Sequence, residues 1–137
     1  MDIDRFLGLT RDEILSALSG GNPLRYSPLG DPGGVRARAS EFSACQAEYL
    51  LYCYALAGVA APVDVLRTLL QSSSVPIRMM SLNVLRGPMY ASASRDLEGF
   101  VLAIRDRPST DMERRLAEDV IGELNKRSPP TTGEPAG

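Results

Sequence analysis

Apolar residues recur in this chain at spacings of three and four, in short runs closed by glycine or proline, and this periodicity constrains the fold more than any other feature. Leu97, Phe100, Val101 and Ile104 keep the spacing, as do Phe42, Cys45, Tyr49, Tyr52, Cys53 and Leu56. A third stripe, Met112, Leu116, Val120, Ile121 and Leu124, opposes a polar face of Arg115, Glu118, Asp119 and Lys126. The pattern predicts an all-α protein, with five or six helices in antiparallel hairpins forming a helical bundle or a short stack. A chain of 137 residues, 44% of them hydrophobic, can bury one sizeable core, so residues 1–126 read as a single helical domain. Residues 127–137 carry no apolar periodicity and read as a disordered tail.

Local signals set the expected boundaries. Thr10-Arg11-Asp12-Glu13 is a capping box that opens a helix over about Arg11–Leu18, with Ile14, Leu15 and Leu18 on one face and Gly20-Gly21 to end it in a left-handed turn. Pro23, Pro28 and Pro32 among the glycines of residues 20–34 exclude regular structure. That loop is either a contact surface built on Leu24, Arg25, Tyr26 and Leu29, or an ordered strap over one end of the core. Asp31-Pro32 caps a long central helix expected from about Gly33 or Val35 to Ala57, closed by Gly58. Further helices are expected from Pro62 to the serines at 72–74, from Pro76 to Arg86 and from Arg95 to Arg105, with Gly87–Ser94 as a linker. A second capping box, Thr110 to Glu113, opens the last helix, on which Glu113, Asp119 and Glu123 read as solvated.

The chain contains no histidine, which removes the commonest general base and metal ligand together. Cys45 and Cys53 would lie about 12 Å apart along one helix, beyond disulfide reach, and their expected role is reduced and buried, as in a cytoplasmic protein. The acidic start lacks the features of a secretory signal, and no apolar run reaches membrane-spanning length. A net charge of −2 gives no nucleic-acid footprint. Glu41 and Glu48, seven apart, are the best carboxylate pair for acid–base or metal chemistry, but no third ligand joins them and the expected reading is solvated helix charges. The glycine-rich turn before Arg36 and Arg38 is the best anion cradle, but it matches no phosphate-loop motif. No catalytic residue, cofactor or metal is expected.

Two helical pairs superpose at a shift of about 34 to 36 residues, placing Val63, Leu66 and Leu70 on Leu97, Phe100 and Ile104, and Arg78, Ser81 and Leu85 on Arg114, Ala117 and Ile121. From Pro62 to Leu124 the chain thereby resembles the HEAT family of helical-hairpin repeats. The resemblance implies a right-handed stack of hairpins, while a plain antiparallel bundle accounts for the same periodicity.

The missing catalytic inventory, the small self-contained domain and the long loop together point to a non-catalytic module that binds another protein. An immunity- or antitoxin-type neutraliser and an adaptor are its two expected forms. Arg25, Tyr26, Arg36, Arg38, Tyr49 and Tyr52 are the candidate contact residues, since tyrosine and arginine anchor protein interfaces. The alternative is a small-ligand or nucleotide-binding regulator using Arg36 and Arg38. Neither nucleic acid nor membrane is an expected partner, and a second copy docked on the tyrosine-rich helix is a further candidate.

Overall fold

The computed structural model describes residues 1–127. Among them the chain forms nine α-helices, two 3₁₀ turns and no strand. The helices are α1 (Ile3–Leu7), α2 (Arg11–Ser19), α3 (Pro32–Arg38), α4 (Ala44–Ala57), α5 (Val63–Leu70), α6 (Val75–Leu85), α7 (Ala91–Asp96), α8 (Glu98–Asp106) and α9 (Asp111–Arg127). The all-α expectation is correct, and the helices beyond six are α1, which precedes the first expected helix, α7, which forms largely in the expected linker, and the one added by a break in the expected central helix. Arg127, expected to begin a tail, is the last residue of α9; the rest of that stretch lies outside the described residues.

The long central helix is replaced by α3, a 3₁₀ turn over Ala39–Glu41, and α4. Phe42 is extended (φ −69°, ψ 137°), and Ser43 starts a new helix through a reciprocal cap. The Ser43 hydroxyl accepts from the Gln46 amide at 3.2 Å, and the Gln46 side-chain oxygen accepts from the Ser43 amide at 3.0 Å. The Gln46 side-chain nitrogen, buried, donates to the carbonyls of Leu7 at 3.0 Å and Leu9 at 3.3 Å, just past the end of α1. One glutamine thus opens α4 and ties down carbonyls that would otherwise lack a donor. At the far end Gly58 closes α4 with φ 72°, the left-handed conformation that glycine adopts without strain.

The expected linker Gly87–Ser94 is mostly helical, with a 3₁₀ turn at Pro88–Tyr90 leading into α7. Ser94 is buried and donates its hydroxyl to the Leu85 carbonyl at 2.7 Å, which satisfies the end of α6. Tyr90 accepts from the Ala61 amide at 2.8 Å, which anchors the turn before α5. The helix expected over Arg95–Arg105 is therefore divided at Leu97, a fully buried residue between α7 and α8 (φ −102°, ψ 9°). Gly21, with φ 85°, takes the left-handed turn after α2, while Gly20 does not.

The core runs the length of the molecule. Phe6, Phe42 and Tyr49 form an aromatic group at one end, with ring centroids 5.3 Å and 6.2 Å from Phe6. Val65, Leu66, Leu69, Leu82, Leu85, Leu97, Val101, Ala117 and Val120 continue it through the hairpins α5–α6 and α8–α9, which meet where α6 packs on α9. On α9 the buried stripe is Glu113, Ala117, Val120 and Leu124, whereas Met112, expected inside, is 51% exposed.

Glu113 corrects a second expectation. Placed by sequence on a solvated face, its side chain is 1% exposed and faces Arg78 of α6, itself only 14% exposed. Arg78 donates through Nε to Glu113 Oε2 at 2.5 Å and through Nη2 to Oε1 at 3.3 Å. Arg78 also donates to the Ser72 carbonyl at 2.8 Å and the Ser109 hydroxyl at 2.9 Å, and the Ser109 amide donates to Glu113 at 2.7 Å. Burial works against the charged carboxylate, yet the Arg78 and Ser109 donors outweigh it and hold Glu113 below the usual carboxylate range. The clasp joins the loop before α6 to the loop before α9. Arg114, which the sequence overlay aligned with Arg78, instead pairs with Asp111 within α9 on the surface.

Candidate protein-binding groove

The loop after α2 is an ordered strap of consecutive turns. The amides of Arg25, Ser27 and Asp31 donate to the carbonyls of Asn22, Leu24 and Pro28 at 2.9–3.1 Å. Tyr49 of α4 fastens it from beneath, donating its hydroxyl to the Pro23 carbonyl at 2.5 Å and accepting from the Tyr26 amide at 3.2 Å. Burial pushes the Tyr49 phenol up to about 12, so the hydroxyl stays protonated and able to donate at neutral pH. The Met1 ammonium donates to the Ser27 carbonyl at 3.0 Å. Arg25 lies over the Tyr26 ring, 5.4 Å from its centroid.

The structure thus brings Arg25, Tyr26 and Tyr49 together, with Tyr52 one turn further along α4. Arg36 and Arg38 belong to a different constellation. Arg36 pairs with Asp64 at 3.0 Å, and Arg38 with Asp4 at 2.7 Å and Glu41 at 2.5 Å. Arg38 holds the Glu41 carboxyl below its ordinary range, and Glu41 sits in the 3₁₀ turn rather than on the helix of Glu48. The proposed Glu41–Glu48 pair on one helix therefore does not form. The anion cradle is occupied by the chain itself, because Asp31 accepts from the Gly34 amide at 3.1 Å and the Ile3 amide at 2.9 Å. A β-carbon at Gly34 would lie 2.6 Å from the Ile3 side chain, so this glycine permits close packing of α3 on α1.

Sequence reasoning missed the face of α2. Ile14 and Ala17 are the residues it buries, which turns Leu15 (45% exposed) and Leu18 (39%) toward solvent. No spacing within α2 marks this choice, since Ala17 and Leu18 stand three and four residues from Ile14 and either can share its side. Beside them on α4, Tyr52 (41%) and Leu56 (45%) lie one turn apart and are also exposed. Ile14, Leu15, Leu18, Cys45, Glu48, Tyr49 and Tyr52 line a mostly apolar cleft of about 270 Å³ between the two helices. A second cleft of about 690 Å³ shares Ile14, Leu15, Cys45 and Glu48 with the first and continues to Leu9, Pro76 and Met80.

Two charges flank this groove, Arg11 on α2 and Glu48 on α4. Both act on the half-buried Cys45 thiol: burial pushes its pKa up, the Glu48 charge adds to the shift and Arg11 opposes it. Neither Arg11 nor Glu48 has an ion-pair partner among the described residues. Cys53, one face away, is buried, and burial raises its thiol as well.

Elsewhere, a polar cleft between α6 and α9 holds Arg86 paired with Asp119 at 3.2 Å and Lys126 with Glu123 at 3.5 Å. Among the described residues no three histidine, cysteine or acidic side chains gather in metal-binding geometry, and no helix is long and apolar enough to cross a membrane. Comparison with protein-family models, with curated proteins and with solved structures found no match. The class the structure defines is therefore its architecture, an all-helical bundle or stack that carries, among the described residues, the apolar α2–α4 groove and a separate apolar cleft of about 380 Å³ lined by Leu51, Ala55, Val84, Met89 and Tyr90.

Proposed function

We propose that this chain is a non-catalytic protein-binding module whose docking surface is the α2–α4 groove. The observation that carries the proposal is the row Leu15, Leu18, Tyr52 and Leu56, four large apolar side chains exposed on two neighbouring helices. Scattered surface leucines are ordinary, but a contiguous apolar strip beside a cleft is the usual signature of an interaction site. Tyr52 supplies an amphipathic ring of the kind that anchors interfaces, and it lines the cleft together with Leu15 and Leu18. On this reading the module is an immunity- or antitoxin-type neutraliser or an adaptor. The small-ligand alternative draws less support, since Arg36 and Arg38 spend their charge on Asp64, Asp4 and Glu41.

The test is parallel capture from lysate of the native cells with tagged wild-type chain and with Leu15→Asp/Leu18→Asp. The expected result is one protein retained in near-equal amount by the wild type and lost by the variant, with unchanged helical circular dichroism. Equal retention by both would move the docking surface elsewhere.

A further inference from the structure

Resting on that reading of the groove, we infer that the protein it receives is a second copy of this chain, docked about a two-fold axis. The groove is self-complementary in charge. Arg11 and Glu48 stand on its opposite walls, with opposite sign and with no ion-pair partner among the described residues. A two-fold axis passing midway between them lays each guanidinium over the other copy's carboxylate, giving two equivalent ion pairs from one pair of residues.

The apolar part of the groove fits the same operation. Leu15 lies in the segment common to both clefts, and a two-fold axis through that segment sets it against its own counterpart. The rotation exchanges the two ends. Leu18 and Tyr52 of one copy come to the end lined by Leu9, Pro76 and Met80 of the other. A net charge of −2 leaves little long-range repulsion between copies. The patch is small for an obligate interface, so the association is of the weak, concentration-dependent class.

Sedimentation equilibrium on the full chain from about 5 µM to about 500 µM, spanning the range of weak association, reads this directly. The expected mass rises from the monomer's 14.8 kDa toward twice that value. Glu48→Arg alone and Arg11→Glu alone should each weaken association about tenfold or more, and Arg11→Glu/Glu48→Arg together should restore it. Both positions are exposed, so melting curves should match the wild type and exclude a folding defect. A monomer mass throughout the range overturns the inference, as does a dimer whose strength ignores both reversals or is not restored in the double variant. These outcomes are separate from failure of the groove reading. A monomer that still captures a different protein, and loses it in Leu15→Asp/Leu18→Asp, retires the second copy and leaves the groove in place.

Discussion

Replacing Arg78 by methionine should be among the most damaging single changes in the molecule. Arg78 makes four hydrogen bonds, two of them to a carboxylate that is 1% exposed, so its removal leaves the Glu113 charge buried with the Ser109 amide as its remaining side-chain donor. Breaking a buried ion pair in this way costs about 3–5 kcal/mol. Against the roughly 5–15 kcal/mol that holds a domain of this kind together, that is a large fraction, and at roughly 3–5 °C per kcal/mol it lowers Tm by about 10–25 °C. Urea denaturation followed by circular dichroism measures the difference. The sign of the pH dependence separates this mechanism from lost packing. In the wild type Glu113 titrates below its unfolded value of about 4.3, so its contribution is complete above that pH and is lost as pH falls through the lower folded value. In Arg78→Met, burial acts without the guanidinium and raises the same group, so the variant's deficit is greatest at neutral pH and shrinks on acidification. Arg78→Met/Glu113→Leu, which removes both charges, should recover most of the loss. A cost under about 1 kcal/mol, or a double variant as unstable as the single, would refute the reasoning.

Three further outcomes follow from the same structure. Gly58→Ala, forced into φ 72°, should lose about 1–2 kcal/mol by thermal melting, while Gly33→Ala, in helical conformation with open space for its methyl group, should gain about 0.5–1 kcal/mol; equal effects would contradict the backbone argument. Tyr49→Phe removes both hydrogen bonds to the strap, so limited trypsin digestion after Arg25 should accelerate severalfold, and an unchanged rate would mean that the strap is held by other contacts. Alkylation with iodoacetamide should modify Cys45 before Cys53, and Glu48→Gln should lower the pH midpoint of Cys45 alkylation while Arg11→Gln raises it; shifts of the opposite sign would break the placement of those charges beside the thiol.

What could be read from the chain depended on the range of the interactions involved. The cap at Thr10, the turn at Gly58 and the proline starts of α3 and α6 are local and the structure keeps them, while the box at Thr110 is half kept, the Thr110 hydroxyl accepting from the Glu113 amide but the Glu113 carboxylate turning to Arg78 and the Ser109 amide. The break before α4 was also written locally, as Ser43 and Gln46, but the apolar stripe running through it obscured the cap. Glu113 and Ser94 were misplaced for the opposite reason. Their partners, Arg78 and the Leu85 carbonyl, lie 35 and 9 residues away and are brought near only by packing. The same holds for the candidate site. Tyr52 was legible only as one of several candidate contact residues, whereas the outward turn of Leu15 and Leu18 depends on α4 accepting Ile14 and Ala17, which no periodicity within nine residues can specify.

Hydrogen–deuterium exchange of the chain, dilute and then saturated with the partner it retains or with its own second copy, tests the central claim most directly. The account predicts slowed exchange across α2 and the exposed face of α4, with little change in α8 and α9, because the α2–α4 groove is the surface that becomes covered. Protection confined to the α6–α9 cleft, with α2 exchanging as it does in the dilute protein, would contradict it.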